Sequence, residues 1–181
     1  LELTSELGQK AGYRDIWFTA TIKPDREVMA KMLELHQEVC DFMTAQSSEY
    51  YSSQAMFQAI PTLFSEHSVQ KGGNVLGLDR EKEDLIMLLF TMAVESKEQE
   101  AIAQAQMRQW GDAVMEFARS RGSAADWQYV NYAYDYQDPL SSYGAENVRK
   151  IRQAAAKYDP NGVFQTRAPG GFKVTKRSGY G

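Results

Sequence analysis

The sequence predicts an α+β fold, an antiparallel sheet with helices packed on one face, plus a C-terminal helix and tail. Three observations carry this. Residues 13–23 and 49–60 read as strands, and so does the apolar run 84–94. Residues 26–45 and 97–120 place apolar side chains at three- and four-residue steps, the period of a helix. The resulting order, β-α-β-(turn)-β-α-β-α-tail, returns a long helix between strands and contains no internal repeat.

In the first strand Ile16, Phe18, Ala20 and Ile22 alternate with Trp17, Thr19 and Thr21, a period of two rich in aromatic and β-branched residues. Pro24-Asp25 ends it and opens a helix whose apolar face is Val28, Met32, Leu35, Val39 and Phe42. The second strand, with Tyr50, Tyr51, Met56, Phe57 and Ile60, is broken by Pro61. A helical turn over Thr62–Ser68 and a loop at Lys71–Asn74 follow. Residues 84–94 are apolar on both faces and fit a central strand. In the helix 97–120 the stripe is Ala103, Met107, Trp110, Val114 and Phe117, weakened at Gly111 by about 1 kcal/mol relative to alanine. Trp127 to Ala133 reads as a short aromatic strand, and 144–157 as a helix with Val148, Ile151 and Ala155 on one face. Asp159-Pro160-Asn161-Gly162 is a tight turn.

Composition narrows the function. Of 181 residues, 43% are hydrophobic and 24% charged, the balance of a soluble globular protein rather than a disordered one. The longest apolar run, Leu85 to Ala93, is about half a membrane span. The formal net charge of −4 gives no positive field for nucleic acid. A single cysteine, Cys40, excludes a disulfide framework within the chain and a cysteine-rich zinc site. The chain begins at Leu1 without a signal-peptide pattern, so either its start was removed or it is a piece of something longer, and no compartment is assigned.

Most chemistry-bearing residues have plain readings. His36 lies at the boundary of a helix face, His67 in a turn, and neither has a partner at metal-ligand spacing, so no metal is expected. Cys40 reads as a small buried hydrophobe. Gly72 to Gly77 lacks both the Gly-x-Gly-x-x-Gly order and the Lys-Ser/Thr of a phosphate loop. The basic tail Arg167, Lys173, Lys176 and Arg177 reads as a terminus without a specific ligand. The cluster Trp127-Gln128-Tyr129-Val130-Asn131-Tyr132-Ala133-Tyr134 differs. A strand there would turn Tyr129 and Asn131 to one face and Val130 and Tyr132 to the other. Each phenol or amide would need a partner if buried, so an aromatic-lined polar ligand pocket explains the composition better than a core.

That cluster opens an ordered series: Tyr129-Val130-Asn131-Tyr132, Gln137-Asp138-Pro139-Leu140, Ser142-Tyr143-Gly144-x-x-Asn147, Val148-Arg149-Lys150-Ile151, Lys157-Tyr158-Asp159-Pro160-Asn161-Gly162-Val163-Phe164-Gln165 and Pro169-Gly170-Gly171-Phe172-Lys173. The series resembles the C-terminal end of the berberine-bridge-enzyme-like flavoproteins, in their fungal FAD-linked oxidoreductase branch. Upstream, Tyr13–Lys23, Phe57-Gln58-Ala59-Ile60-Pro61-Thr62 and Gly72–Leu78 resemble that branch's substrate domain.

The resemblance implies that residues 1–133 are a substrate-domain portion and 134–181 a C-terminal segment, whose partner is an FAD-binding domain outside this chain. It implies FAD as cofactor and a small molecule, a secondary metabolite or carbohydrate alcohol, as substrate. Tyr132 would be the base and lie at the flavin, Asn131 would sit beside the flavin ring, and Gln58 and Tyr129 would face the substrate. A phenol titrates near pH ~10 in water, so the base would need a cation or hydrogen-bond donor to stabilise the phenolate. Where many members carry an acid directly after Tyr-x-Asn-Tyr, this chain has Ala133-Tyr134-Asp135, and Asp135 is given no role. Some fungal relatives use the flavin only as scaffold, so a ligand-binding or cyclisation-guiding domain without redox turnover is the alternative.

Overall fold

The computed structural model describes residues 12–174. Its strands are β1 (Arg14–Ile22), β2 (Tyr51–Ile60), β3 (Leu85–Val94) and β4 (Ala124–Ala125). Its helices are α1 (Arg26–Gln46), α2 (Thr62–Gln70), α3 (Lys97–Ser120), α4 (Pro139–Ser142), α5 (Ala145–Tyr158) and α6 (Val163–Thr166). The sheet order is β2-β3-β1-β4, every neighbouring pair antiparallel. The β-α-β-β-α-β succession with β3 inserted between β1 and β2 is the split β-α-β arrangement of ferredoxin-like folds. Among the described residues no helix is long and apolar enough to cross a membrane. Lys176 and Arg177 of the basic tail lie outside the described residues.

Both long helices pack on one face. The even-numbered residues of β1 and β3, from Ile16 to Ile22 and from Leu88 to Val94, meet Val28, Met32, Val39 and Met43 of α1 and the Ala103–Met107–Trp110–Val114 stripe of α3. Trp110 is the hub. Its ring meets Phe18 and Phe90 edge-on at 5.7 and 4.7 Å, and its Nε1–H donates to the Met32 carbonyl at 3.2 Å. Beside it, Gly111 touches the Phe18 ring so closely that an added Cβ would stand 2.4 Å from Cζ. Alanine normally gains about 1 kcal/mol over glycine in a helix. Here overpacking wins, and Gly111→Ala is expected to lower stability by roughly 1–3 kcal/mol in a denaturant titration.

Capping fixes where the helices begin. Ser96 and Gln99 form a reciprocal capping box at the start of α3. Asp25 caps α1, accepting from the Glu27 and Val28 amides, while its other oxygen receives Arg121 Nε at 2.8 Å and the Ser123 hydroxyl at 2.5 Å. One carboxylate thus ties the start of α1 to the end of α3. Arg121 and Ser123 hold that carboxyl well below the usual carboxylate range. A depressed pKa gives stability that is complete above the unfolded value of about 4 and is lost as pH falls toward the folded one. Asp25→Asn is therefore expected to lower the melting temperature at pH 7 and to shrink the difference between melts at pH ~7 and pH ~3.

The opposite face of the sheet is covered unevenly. Ile60, Leu85 and Met87 lie under Trp127 and Tyr143, with Tyr129, Val130, Tyr132, Leu140 and Ile151 packed around them. The strand expected over Trp127–Ala133 is not there: pairing is confined to Ala124 and Ala125, opposite Ile22 and Thr21. Past Ala125 the backbone finds side chains instead of a strand. The Gln128 amide donates to Ser142 Oγ at 3.0 Å and the Val130 amide to the Tyr143 hydroxyl at 3.1 Å. The Tyr132 amide closes a turn on the Tyr129 carbonyl at 3.0 Å. The turn brings the Tyr129 and Tyr132 rings together, which strand alternation forbids.

Beside Thr19 the edge of β1 is completed by one side chain. The Gln137 amide accepts from Thr19 N–H at 3.2 Å and donates to Thr19 C=O at 2.7 Å. It thereby satisfies both backbone groups that a neighbouring strand would otherwise pair. Its Oε1 also accepts from the Tyr134 amide at 3.1 Å.

Candidate aromatic binding site

Five rings run in contact across this second face. Tyr143 and Trp127 stack at 6.4 Å, Trp127 and Tyr129 at 5.8 Å. Tyr129 meets Tyr132 edge-on at 5.0 Å, and Tyr132 lies 5.3 Å from Trp17 of β1. The buried end is anchored: Trp127 Nε1–H donates to the Leu76 carbonyl at 2.9 Å, and burial pushes the Tyr143 phenol up. The other end is half-exposed at Tyr129, Tyr132 and Trp17.

The turn 129–132 therefore gathers three of the four expected site residues. Tyr132 is held between Trp17 and Tyr129. Exposed Asn131 donates from Nδ2 to the Tyr129 hydroxyl at 2.9 Å. Gln58 stands apart on β2, exposed, on the same sheet face. It pairs with Met87, which in turn pairs with Thr21 of β1, so one strand separates it from the strand bearing Trp17. Asn131 also borders a cavity of about 1110 Å³ between the 130–141 stretch and the arm 165–174. Charged groups at its rim are Asp135, Asp138, Arg152 and Lys173. Arg152 and Lys173 each donate to a backbone carbonyl, of Val174 and Gly170.

Tyr134 does not join Tyr132. Its hydroxyl accepts from Gln104 Nε2 of α3 at 2.6 Å. Tyr136 lies under the Arg108 guanidinium, 4.2 Å from the ring centre, and burial holds its phenol far above the ordinary tyrosine range. These two rings clamp the segment after the turn onto α3.

Cys40 is half-buried rather than buried. Its Sγ lies 3.7 Å from His36 Nε2, which is 2.8 Å from Ser53 Oγ. Burial raises the thiol and lowers the imidazole. Both groups are thereby kept neutral, the opposite of a thiolate–imidazolium nucleophile. His67 is exposed on α2. Among the described residues no group of three or more His, Cys, Asp or Glu could hold a metal ion.

Two members of the arrangement escape a sequence reading. Trp17 sits on the strand face opposite the apolar one, and the only signal was a large ring at a position where a small polar residue was due. Gln137 lies in an apparent loop, and nothing local announces its bonds to Thr19.

No protein-family model matches the chain, and no solved structure does. Curated proteins do. FAD-dependent monooxygenase drtC of Aspergillus calidoustus is 39% identical over 91% of this chain and 31% of its own length. FAD-dependent monooxygenase sdcF of Emericella nidulans is 32% identical over 97% of this chain and 37% of its own length. Bifunctional solanapyrone synthase of Alternaria solani is 44% identical over 34% of this chain and 12% of itself. The chain spans about a third of the length of the first two relatives. Along nearly all of its own length it is thus similar to one part of fungal proteins named FAD-dependent monooxygenases.

Proposed function

We propose that this chain is the substrate-domain portion, residues 1–133, and the C-terminal segment, residues 134–181, of an FAD-linked oxidoreductase of the berberine-bridge-like branch. It acts on an alcohol or related carbon centre of a small molecule. The observation that supports this most is the turn that sets Tyr129, Asn131 and Tyr132 side by side, between the aromatic ladder and the cavity beside Asn131.

FAD supplies the hydride acceptor when bound. The groups near Asn131 fit only one end of it. A neutral amide that both donates and accepts suits the edge of a flavin ring. The two cations at the cavity rim share it with two carboxylates and are engaged with backbone carbonyls, which is no cradle for a diphosphate. The phosphates therefore belong to an FAD-binding domain beyond this chain. Its docking surface is consistent with the large side chains left exposed at the end of α5 and on α6. Tyr158 and Phe164 there are 76% and 68% exposed.

Within this frame Tyr132 Oη takes the proton from the reacting substrate group. Tyr129 and Trp17 fix its ring from two sides. Tyr129 also walls the pocket, and Gln58 reaches the substrate from β2. The described contacts of Tyr132 are aromatic, so the charge that stabilises a phenolate comes from the FAD-binding domain. The alternative is a flavoprotein-derived domain that binds a ligand without redox turnover.

A visible spectrum of purified material containing this chain, followed by anaerobic mixing with candidate alcohols, tests the reading. A bound-flavin spectrum that bleaches is expected. A colourless sample, or flavin that no substrate reduces, sinks it in favour of the alternative. Turnover under ¹⁸O₂ then separates oxygen insertion, the activity in the relatives' names, from dehydrogenation.

A further inference from the structure

The two edges of the sheet are treated in opposite ways. On one side β4 is two residues long, and the Gln137 amide stands in for a strand at Thr19. On the other side β2 runs for ten residues beside β3, paired one to one from Tyr51↔Val94 to Ile60↔Leu85 without a bulge. In an antiparallel strand every second residue turns its N–H and C=O away from a given neighbour. Among the described residues no hydrogen bond meets those groups on the outer side of β2.

An open row of donors and acceptors pairs with any strand that reaches it, so natural edges are blunted by charge, proline, a bulge or a covering segment. β2 carries none of these. From Tyr51 to Ile60 it has no charged residue, no proline and no glycine. That is the composition of an inner strand.

The helix above supplies a second observation. α1 overlies β2 through His36 and Cys40: His36 Nε2 lies 2.8 Å from Ser53 Oγ, and the Tyr51 hydroxyl donates to the Cys40 carbonyl at 2.7 Å. Leu33 is three residues before His36 and seven before Cys40, hence on the same flank. It is turned further from the core and is 49% exposed. A strand added beyond β2 at the usual spacing of about 4.8 Å would run beneath this leucine.

We infer that β2 is an inner strand of the whole protein, its outer edge paired with an extended segment that lies outside this chain and turns an apolar side chain toward Leu33. The chain spans about a third of the length of its first relatives, which leaves ample chain to supply that segment. Tethered within one protein, the segment acts at an effective concentration on the order of mM, far above that of a second copy in solution. The inference goes beyond the flavin chemistry and does not depend on it.

Hydrogen exchange on the whole protein carrying this chain, read amide by amide, tests it. The β2 amides that point away from β3 are expected to exchange at least about a hundredfold more slowly than unstructured amides. They should stay slow in dilute protein that sedimentation shows to be monomeric. Leu33→Gln, a change that barely alters helix propensity, is expected to speed those amides about tenfold through lost apolar burial, while β1 keeps its protection. Outward amides that exchange at the unstructured rate would mean an open edge and overturn the inference. Protection that vanishes on dilution to the monomer would give the edge to a second copy and overturn it too. So would slow amides indifferent to Leu33→Gln. The visible spectrum of the same sample keeps the two ideas apart. Colourless protein with a protected β2 edge retains the added strand and removes the flavoprotein reading. Flavin-loaded protein with an open edge does the reverse.

Discussion

Replacing Tyr132 with phenylalanine is expected to slow flavin reduction by roughly 10²–10⁴-fold, the range for losing a positioned acid–base group, with bound flavin and melting temperature almost unchanged. Phenylalanine keeps everything Tyr132 does for the fold. The ring still fills the space between Trp17 and Tyr129, and the turn is closed by a backbone bond from residue 132 to Tyr129 rather than by the hydroxyl. What disappears is Oη alone. A variant that reduces flavin at the parent rate removes Tyr132 as the base and leaves it a member of the aromatic ladder. Trp17→Leu is the contrasting change. It takes a ring contact from Tyr132 while sparing the hydroxyl, so it should disturb orientation and slow reduction less than Tyr132→Phe does.

Much of this was legible in the residues, for physical reasons that differ by element. β1, α1 and α3 announce themselves because each sets an apolar face against the core, which writes a period into the sequence, and β3 because burial of both faces writes an unbroken apolar run. Trp127–Ala133 failed because its backbone partners are side chains of Ser142 and Tyr143 beyond the segment, and no local pattern encodes them. Its richness in rings is unusual for a strand, and the rings converge through a turn rather than alternate. The pairing of Tyr132 with Trp17 could not be inferred, since it depends on β4 ending after two residues and freeing the chain to fold back over β1. Asp25 was placed at the start of a helix from Pro24-Asp25, but its bonds to Arg121 and Ser123 span almost the whole β-α-β-β-α unit.

Gln137→Leu is expected to be the most damaging single change to the fold outside the helix-packed core. Gln137 is 8% exposed, and its amide serves three backbone groups at once: the N–H and C=O of Thr19 and the N–H of Tyr134. Leucine has nearly the same volume, so the change creates no cavity and isolates the polar effect. Each backbone group left buried and unpaired costs about 1–3 kcal/mol, and three together cost roughly 3–9 kcal/mol against a typical total of about 5–15 kcal/mol. The loss should also be local before it is global. Thr19 lies on the strand that carries Trp17, and Tyr134 follows the turn that carries Tyr132, so Gln137 pins the two sides of the aromatic contact to each other. Hydrogen exchange should accelerate first at the Thr19 and Tyr134 amides and at the Tyr132 turn amide, with the β2–β3 ladder protected for longer. Chemical denaturation that finds a loss below about 1 kcal/mol would mean that water reaches these groups and replaces the amide. In that case the edge of β1 is wetter than its packing implies, and the turn would have to be held by its rings alone.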